Sequence, residues 1–272
     1  MKTQRILHYP GSKWRTAEWI ISYFPEHVTF VDLFCGSLAI LCSKDRSKIE
    51  TVNDLDSEII NLFKIIRERP VELSYAIEFT PHSREEYYKS YEECSDELER
   101  ARRLVIRLWQ GRGGKTSHRT GWRSMIEHNG PLPAKEWIQF PDKITAVAER
   151  LQGVQIENQC AMKLIERYNN KKDVLLYADP PYLSSTRTTT SYKYEMSDKQ
   201  HSELLDALDD FNGSVILSGY ANEMYDTKLQ HWSRYTKNAV AEAGAKRQEI
   251  IWINPHTMSK LKYQQLSLFQ LL

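Results

Sequence analysis

The sequence predicts a doubly wound, mostly parallel α/β sheet with a helical subdomain inserted into it. Three observations carry this. Short apolar runs closed by Gly or Pro alternate with helical patterns. Two of those runs end in polar turns, where open α/β sheets place their chemistry. Between about Pro70 and Pro141 the alternation stops, and charged helical sequence takes over.

The elements follow in chain order. Val28–Phe34 is a short apolar run that enters Cys35-Gly36-Ser37 and then a helical stretch, Leu38–Cys42. Ser57–Glu68 has helical periodicity. Asp173–Ala178 is a second buried strand and runs into Asp179-Pro180-Pro181-Tyr182. Ser197–Leu208 is again helical, and Gly213–Tyr220 and Glu249–Pro255 are two further strands. The expected organisation is a discontinuous catalytic domain (1–69 and 142–258), an inserted subdomain (70–141) and a carboxyl-terminal tail (259–272). No internal repeat and no low-complexity linker interrupts it.

Composition sets the class. The 272 residues are 41% hydrophobic and 27% charged, as in ordinary soluble proteins. No apolar run approaches the roughly 20 residues of a membrane helix. The amino terminus leads into no apolar signal region, so a cytoplasmic protein is expected. Cys35, Cys42, Cys94 and Cys160 form no CxxC pair and no zinc-like spacing with His, so they read as reduced, buried thiols, and no metal is expected. Net charge is only +1, yet Arg100–Arg123 holds eight Lys or Arg and no Asp or Glu, just after an acidic stretch. That segregation fits a face built for a polyanion; compensation by acids elsewhere in the fold is the alternative.

Asp179-Pro180-Pro181-Tyr182 is the strongest chemical signal. An exocyclic amine on a base is a poor nucleophile because its lone pair is delocalised into the ring. A carboxylate accepting one N–H and a backbone carbonyl accepting the other draw the nitrogen toward sp³ geometry. Asp179 and the Pro180 carbonyl have those roles, the prolines stiffen the turn, and the Tyr182 ring offers a stacking face to a base rotated out of the duplex. Methyl transfer is then a direct in-line displacement governed by positioning and electrostatics.

With this motif the chain resembles the Dam-like adenine-N6 DNA methyltransferases, in the variant common in phages and mobile elements, over about residues 6 to 256. The resemblance implies S-adenosylmethionine as cofactor and double-stranded DNA as partner, either in a restriction–modification setting or as an orphan enzyme. Tyr9-Pro10-Gly11-Ser12-Lys13 looks like the family's amino-terminal cofactor motif, which gives Tyr9 and Gly11 to the cofactor and pairs Lys13 with its methionine carboxylate. Asp32-Leu33-Phe34-Cys35-Gly36-Ser37 resembles the turn around the methionyl part, with Asp32, Phe34 and Gly36 in contact. In Asn53-Asp54-Leu55-Asp56, Asp54 has the place of the acid that bonds ribose hydroxyls and Leu55 packs on adenine; helix capping is the alternative use of such acids, Asp56 above all. Asp179 borders the cofactor as well.

Two positions depart from the family pattern. Leu38 stands where relatives often carry a small residue, either crowding the cofactor or facing the core. Cys160 stands where an acid often reads the adenine amino group. In the insert, Arg112, Lys115, Arg119 and Arg123 are candidate DNA contacts, and Trp109 and Trp122 are candidate core aromatics. Ser184–Tyr194, with Arg187, resembles a flap over the flipped base, and Tyr220 is a candidate for the base pocket. Near the end, Gln265-Leu266-Ser267-Leu268-Phe269 looks like the peptide with which bacterial polymerases and repair proteins bind the replication sliding clamp: Gln265 for a polar side pocket, Leu266, Leu268 and Phe269 as apolar anchors. Its alternative is a last amphipathic element packed on the protein itself. Two other functional readings stand beside adenine methylation: transfer to another amine or amide, and a methyltransferase fold that binds DNA without turnover.

Overall fold

The computed structural model describes residues 5–127, 130, 132–171, 173–183, 190–240 and 246–269, without the side chains of 239, 240, 246, 247 and 267–269. Its centre is a seven-stranded sheet. The strands are β1 (Thr29–Asp32), β2 (Ile49–Asn53), β3 (Val154–Glu157), β4 (Val174–Ala178), β5 (Ser214–Gly219), β6 (Ser233–Val240) and β7 (Lys246–Ile253), in spatial order β3-β2-β1-β4-β5-β7-β6. The first five in that order are mutually parallel, and β7 runs antiparallel to both β5 and β6. The expected fold class is therefore observed.

The central strands show why their sequences are apolar throughout. All four residues of β1 and all five of β4 are buried. On β1, Phe30 enters one hydrophobic core and Val31 the other; on β4, Leu175 and Tyr177 face the first, Leu176 and Ala178 the second. Side chains alternate across a strand, so a sheet covered on both faces needs no polar face. The chain leaves β1 toward β2 on one side, and β4 joins β1 on the other. That reversal opens a crevice at the carboxyl ends of β1 and β4.

Helices α1 (Ala17–Ile21), α2 (Ala39–Ser43), α3 (Ser57–Glu68), α4 (Pro70–Glu78), α5 (Arg84–Lys89), α6 (Glu97–Gln110), α7 (Pro133–Ile138) and α8 (Phe140–Leu151) precede β3. Helices α9 (Ala161–Tyr168), α10 (Asp198–Asp209), α11 (Glu223–Lys228) and α12 (Pro255–Phe269) follow it. Capping fixes the important starts: Asp56 accepts the Glu58 N–H before α3, and Ser197 with Gln200 forms a capping box before α10. Among the described residues no helix is long and apolar enough to cross a membrane.

Several expectations need correction. Three strands, β2, β3 and β6, were not singled out from the sequence; Ile49 is exposed and β3 and β6 are partly exposed, so their patterns carry little apolar signal. The position 142 proposed as a boundary falls inside α8, and 259 falls inside α12, which carries the tail on as helix. Of the cysteines only Cys35 and Cys42 are buried; Cys94 is partly exposed and Cys160 exposed. Leu38 is fully buried in the core and has left-handed backbone at φ 59°, ψ 21° just before α2. That conformation costs an L-residue roughly 1–2 kcal/mol.

Candidate active site

The amino-terminal turn, the end of β1, the end of β2 and the end of β4 converge on one cavity of about 220 Å³. Tyr9, Gly11, Lys13, Asp32, Phe34, Gly36, Asp54, Leu55, Cys160 and Asp179, each singled out from sequence, all border it. Pro181 borders it too, whereas Tyr182 and Pro180 lie behind the surface, buried.

Glycine is required twice in its wall. Gly36 has φ 43°, and a Cβ there would lie 2.9 Å from the Tyr9 ring. Gly11 has φ 68°, and a Cβ there would collide with the Tyr192 hydroxyl. Tyr192 itself donates to the Pro10 carbonyl at 3.0 Å and lies against Tyr9, closing one side of the cavity.

Two carboxylates anchor the β1–β2 side. Asp54 accepts the Gly36 N–H at 3.1 Å and the Asp56 N–H at 2.9 Å, so it shapes the glycine turn as well as facing the cavity. Burial pushes its carboxyl up to about 6, with the backbone donors opposing. Asp32 is buried and its Oδ1 has no hydrogen-bond partner in the structure. Burial, and then the nearby Asp179 charge, raise its proton affinity well above the usual carboxylate range. An orphaned buried acceptor costs about 1–3 kcal/mol unless a partner arrives. The donor that suits it is a cation or ammonium entering the cavity.

Lys13 borders the cavity and already has acidic partners. Its ammonium is buried and lies 2.7 Å from both Asp179 oxygens, 3.0 Å from the Gly11 carbonyl and 3.4 Å from Glu249, and it also donates to the Tyr182 hydroxyl. It ties the Asp179–Tyr182 turn to the amino-terminal turn while bordering the cavity. Desolvation works against the ammonium, but Asp179 and Glu249 outweigh it and raise its proton affinity. Ser218, at the end of β5, donates to Asp179 Oδ1 at 2.9 Å. Tyr182 is buried with its ring 4.8 Å from Lys13 and 4.2 Å from Tyr220, so it is packed against Tyr220 where a free stacking face was expected.

Glu249 is the residue that sequence reasoning missed. It lies on β7, is 5% exposed, accepts from Tyr182 at 3.3 Å and faces Lys13. Its one visible signal was an acid at the head of the apolar run Ile250-Ile251-Trp252-Ile253.

Cys160 sits just before α9 without capping it through its side chain. The loop before it is pinned by Asn53, which donates to the Gln159 carbonyl and accepts the Gln159 N–H, each at 3.0 Å.

The basic run splits in two. On α6, Arg100 pairs with Glu58, Arg102 with Glu99 and Glu86, and Arg103 with Glu99, while Arg107 lies over the Tyr91 ring, so most of this half is compensated, which corrects the expectation of one continuous polyanion face. The second half forms a loop closed by an antiparallel bridge between Gly111 and Trp122. Arg112 and Arg119 are exposed there, Arg119 lying over the Tyr88 ring. Lys115 is half-buried, and Arg123 is half-buried and paired with Glu136 at 2.8 Å. Trp109 is a core residue that donates to the Ile6 carbonyl, while Trp122 is partly buried beside His82. Thr116 bonds the Ser191 carbonyl and accepts the Lys193 N–H, tying this loop to the segment that carries Tyr192. Arg187 lies outside the described residues. Gln265 and Leu266 are exposed on α12; Leu268 and Phe269 continue that helix, their side chains outside the described residues.

The family of D12 class N6 adenine-specific DNA methyltransferases matches residues 9–253. Among solved structures, a precorrin 8W decarboxylase from Methanobacterium thermoautotrophicum is similar at 10% identity and TM-score 0.35, covering 88% of each chain. A SAM-dependent methyltransferase from Agrobacterium tumefaciens is similar at 9% identity and TM-score 0.41, covering 89% of this chain and 62% of that one.

Proposed function

Since the chain belongs to the D12 class N6 adenine-specific DNA methyltransferases, with S-adenosylmethionine as methyl donor, we propose how its own residues divide that work. The observation that carries the proposal is the Asp179 carboxylate, oriented at the carboxyl end of β4 by Lys13 and Ser218 beside the cavity. Asp179 accepts one N–H of the flipped adenine's amino group, and the Pro180 carbonyl accepts the other. The nitrogen lone pair then points into the cavity. Held donors and acceptors that need no reorganisation lower the barrier most.

The cavity fits the cofactor through its unpaired acceptor. The Asp32 oxygen takes the donor's ammonium, and the Ser12–Ser37 hydroxyl pair, 2.7 Å apart, borders the same cavity. Asp54 accepts ribose hydroxyls, and Leu55 and Phe34 border adenine. S-adenosylmethionine, when bound, supplies a methyl group on a positively charged sulfur. Tyr220 turns aside from Tyr182 when the base enters.

The loop 112–123 takes the DNA backbone, with Arg112 and Arg119 exposed and Lys115 and Arg123 half-buried behind them, and Arg187 is a further contact expected from the sequence. The segment Gln265–Phe269 binds a replication sliding clamp, placing the enzyme on new DNA in the cytoplasm. A labelled peptide of 260–272 titrated against purified clamp tests that part; no binding at about 100 µM, where affinity is already weak, removes it.

The test of the whole reading is methylation-sensitive long-read sequencing of a bacterial genome expressing the gene. N6-methyladenine at one defined sequence, absent from an Asp179→Ala strain, is expected. A modified cytosine, or no modification, overturns it.

A further inference from the structure

Methyl transfer to an amine leaves a proton that must go somewhere. The nitrogen gains the methyl carbon, the sulfur keeps the electron pair of the broken carbon–sulfur bond, and the nitrogen becomes cationic until one N–H breaks. Asp179 is the nearest acceptor, in the site assignment on which this inference rests. Burial raises its proton affinity, with Lys13 and Ser218 opposing. Both its oxygens lie 2.7 Å from the Lys13 ammonium and one accepts from Ser218, so a retained proton would forfeit a buried ion pair.

A second buried carboxylate stands on the far side of the same ammonium. Glu249 lies 3.4 Å from Lys13 Nζ, and the Tyr182 hydroxyl joins the two, accepting from Lys13 and donating to Glu249 at 3.3 Å. Two carboxylates on one buried ammonium are one acid too many for a static ion pair. The surplus is a place for one proton.

We propose that Glu249 is the positioning residue that stores the proton released by methyl transfer, receiving it from Asp179 through Lys13 and the Tyr182 hydroxyl. The nitrogen's proton passes to Asp179; Lys13 releases one proton by way of Tyr182 to Glu249; Asp179 returns its proton to Lys13. At the end Asp179 is again a carboxylate, Lys13 again an ammonium, Tyr182 again a phenol, and Glu249 a neutral acid. No oxidant or further reactant enters.

The surroundings support a titration in the working range. The groups that face Glu249 are Lys13 from the amino-terminal turn, and Asp179 and Tyr182 from the catalytic turn. On β6 its register partner is Lys237, whose ammonium lies over the Trp19 ring, and Tyr220 flanks Tyr182. Burial raises the Glu249 carboxyl to about 7 against the pull of Lys13. Proton storage needs the ionised form at the outset, so turnover rises with pH through that region.

The experiment is single-turnover transfer of labelled methyl from S-adenosylmethionine to duplex DNA between about pH 5.5 and about pH 9. The enzymes are wild type, Glu249→Gln, Glu249→Asp and Asp179→Ala. In wild type the rate should climb up to about tenfold per unit below a midpoint near 7 and then level. Glu249→Gln should lose that limb and run at least about tenfold slower at about pH 8, with cofactor affinity within about threefold. Glu249→Asp should restore a limb at a shifted midpoint. A Glu249→Gln enzyme with the wild-type limb and rate, beside an inactive Asp179→Ala, would overturn the proposal and leave the Asp179 assignment standing. Should Glu249→Gln fail to fold, a flat wild-type profile between about pH 6 and about pH 8 overturns it by itself. An active Asp179→Ala instead removes the site assignment, and the proton route with it.

Discussion

The Lys13–Asp179 pair and the Arg100–Glu58 pair have nearly the same length, 2.7 and 2.6 Å. Their surroundings differ: the first side chains are 4% and 16% exposed, the second 28% and 21%. An ion pair near water is worth roughly 0–1 kcal/mol, because water replaces either partner when the other leaves. Breaking a buried pair costs about 3–5 kcal/mol, because the remaining charge has nothing else. In this molecule Glu249 stands ready as a second partner for Lys13, which softens the loss at Asp179. Density of charge along a sequence is thus a poor guide to function. The cluster around Asp179 draws on four residues spread over 13–249, while the conspicuous run on α6 is largely neutralised by its own neighbours.

The sharpest way to break that comparison is to delete one acid from each pair. Asp179→Ala should lower the methyl-transfer rate by about 10²-fold or more, the scale for one preorganised polar contact in a transition state. DNA binding should be largely kept, and folding too, with Glu249 holding Lys13. Glu58→Ala should leave the rate within about twofold and change stability by roughly 0–1 kcal/mol. Parallel kinetics and thermal melts read both; a Glu58 variant as inactive as the Asp179 variant would erase the distinction.

Next in size is Asp54. Its loss should weaken S-adenosylmethionine by about 1.5–3 kcal/mol, since a charged acceptor for two hydroxyls disappears. The pH dependence has a definite sign. With the free-enzyme carboxyl at about 6, binding that prefers the carboxylate is level above that pH and weakens as pH falls through it. Calorimetry at several pH values checks this, and Asp54→Asn should flatten the profile. Because Asp54 also holds the Gly36 and Asp56 N–H groups, Asn, which can accept only one of them through its oxygen, should cost some stability too.

The two halves of the basic run give the third contrast. Neutralising Arg112 and Arg119 should reduce the log–log salt slope of DNA binding by about 0.9 for each phosphate that is no longer neutralised. Neutralising Arg100 and Arg103 should leave the slope unchanged, their charges being matched by Glu58 and Glu99. Arg123 is the intermediate case, paired with Glu136 yet beside the loop. An equal slope change for both pairs of arginines would place the DNA face on α6 instead.

These contrasts also show what the sequence could convey. The turns that border the cavity were legible because a buried parallel strand ending in Gly or Pro is a local pattern, and the crevice gathers such ends. Strand β3 was not legible as a strand, since half of it faces water and its apolar content is low. The neutralisation of Arg100 was not legible, because Glu58 lies 42 residues away and only packing of α3 on α6 joins them, whereas the Glu99 pairs with Arg102 and Arg103 are local. The Lys13–Asp179 pair was not legible, since the two residues are 166 positions apart. Glu249 went unnoticed for the same reason: its meaning depends on an antiparallel strand arriving beside the catalytic turn.

The smallest effect is expected at Cys160, and it separates local structure from cofactor reading. Cys160 is exposed, borders the cavity and sits at the start of α9, where no side chain caps the free N–H groups. Cys160→Asp introduces an acceptor at that start. Replacing a poor cap by a good one is typically worth about 0.5–2 kcal/mol of stability, reduced where the end is solvated. The same carboxylate would also border the cavity. One added hydrogen bond to a charged acceptor contributes at most about 1.5–3 kcal/mol, and less near water. The cap and the cofactor compete for one carboxylate, so both gains cannot be complete. The variant should therefore melt slightly higher, bind S-adenosylmethionine equally or up to about tenfold more tightly, and leave the DNA salt slope untouched. Paired melts with and without cofactor distinguish the two uses. A gain present without cofactor and unchanged by it means that Asp at 160 caps α9; a gain that appears only with cofactor means that it reads adenine. A large loss of cofactor affinity would show that the loop pinned by Asn53 presents residue 160 to a part of the cofactor that repels negative charge.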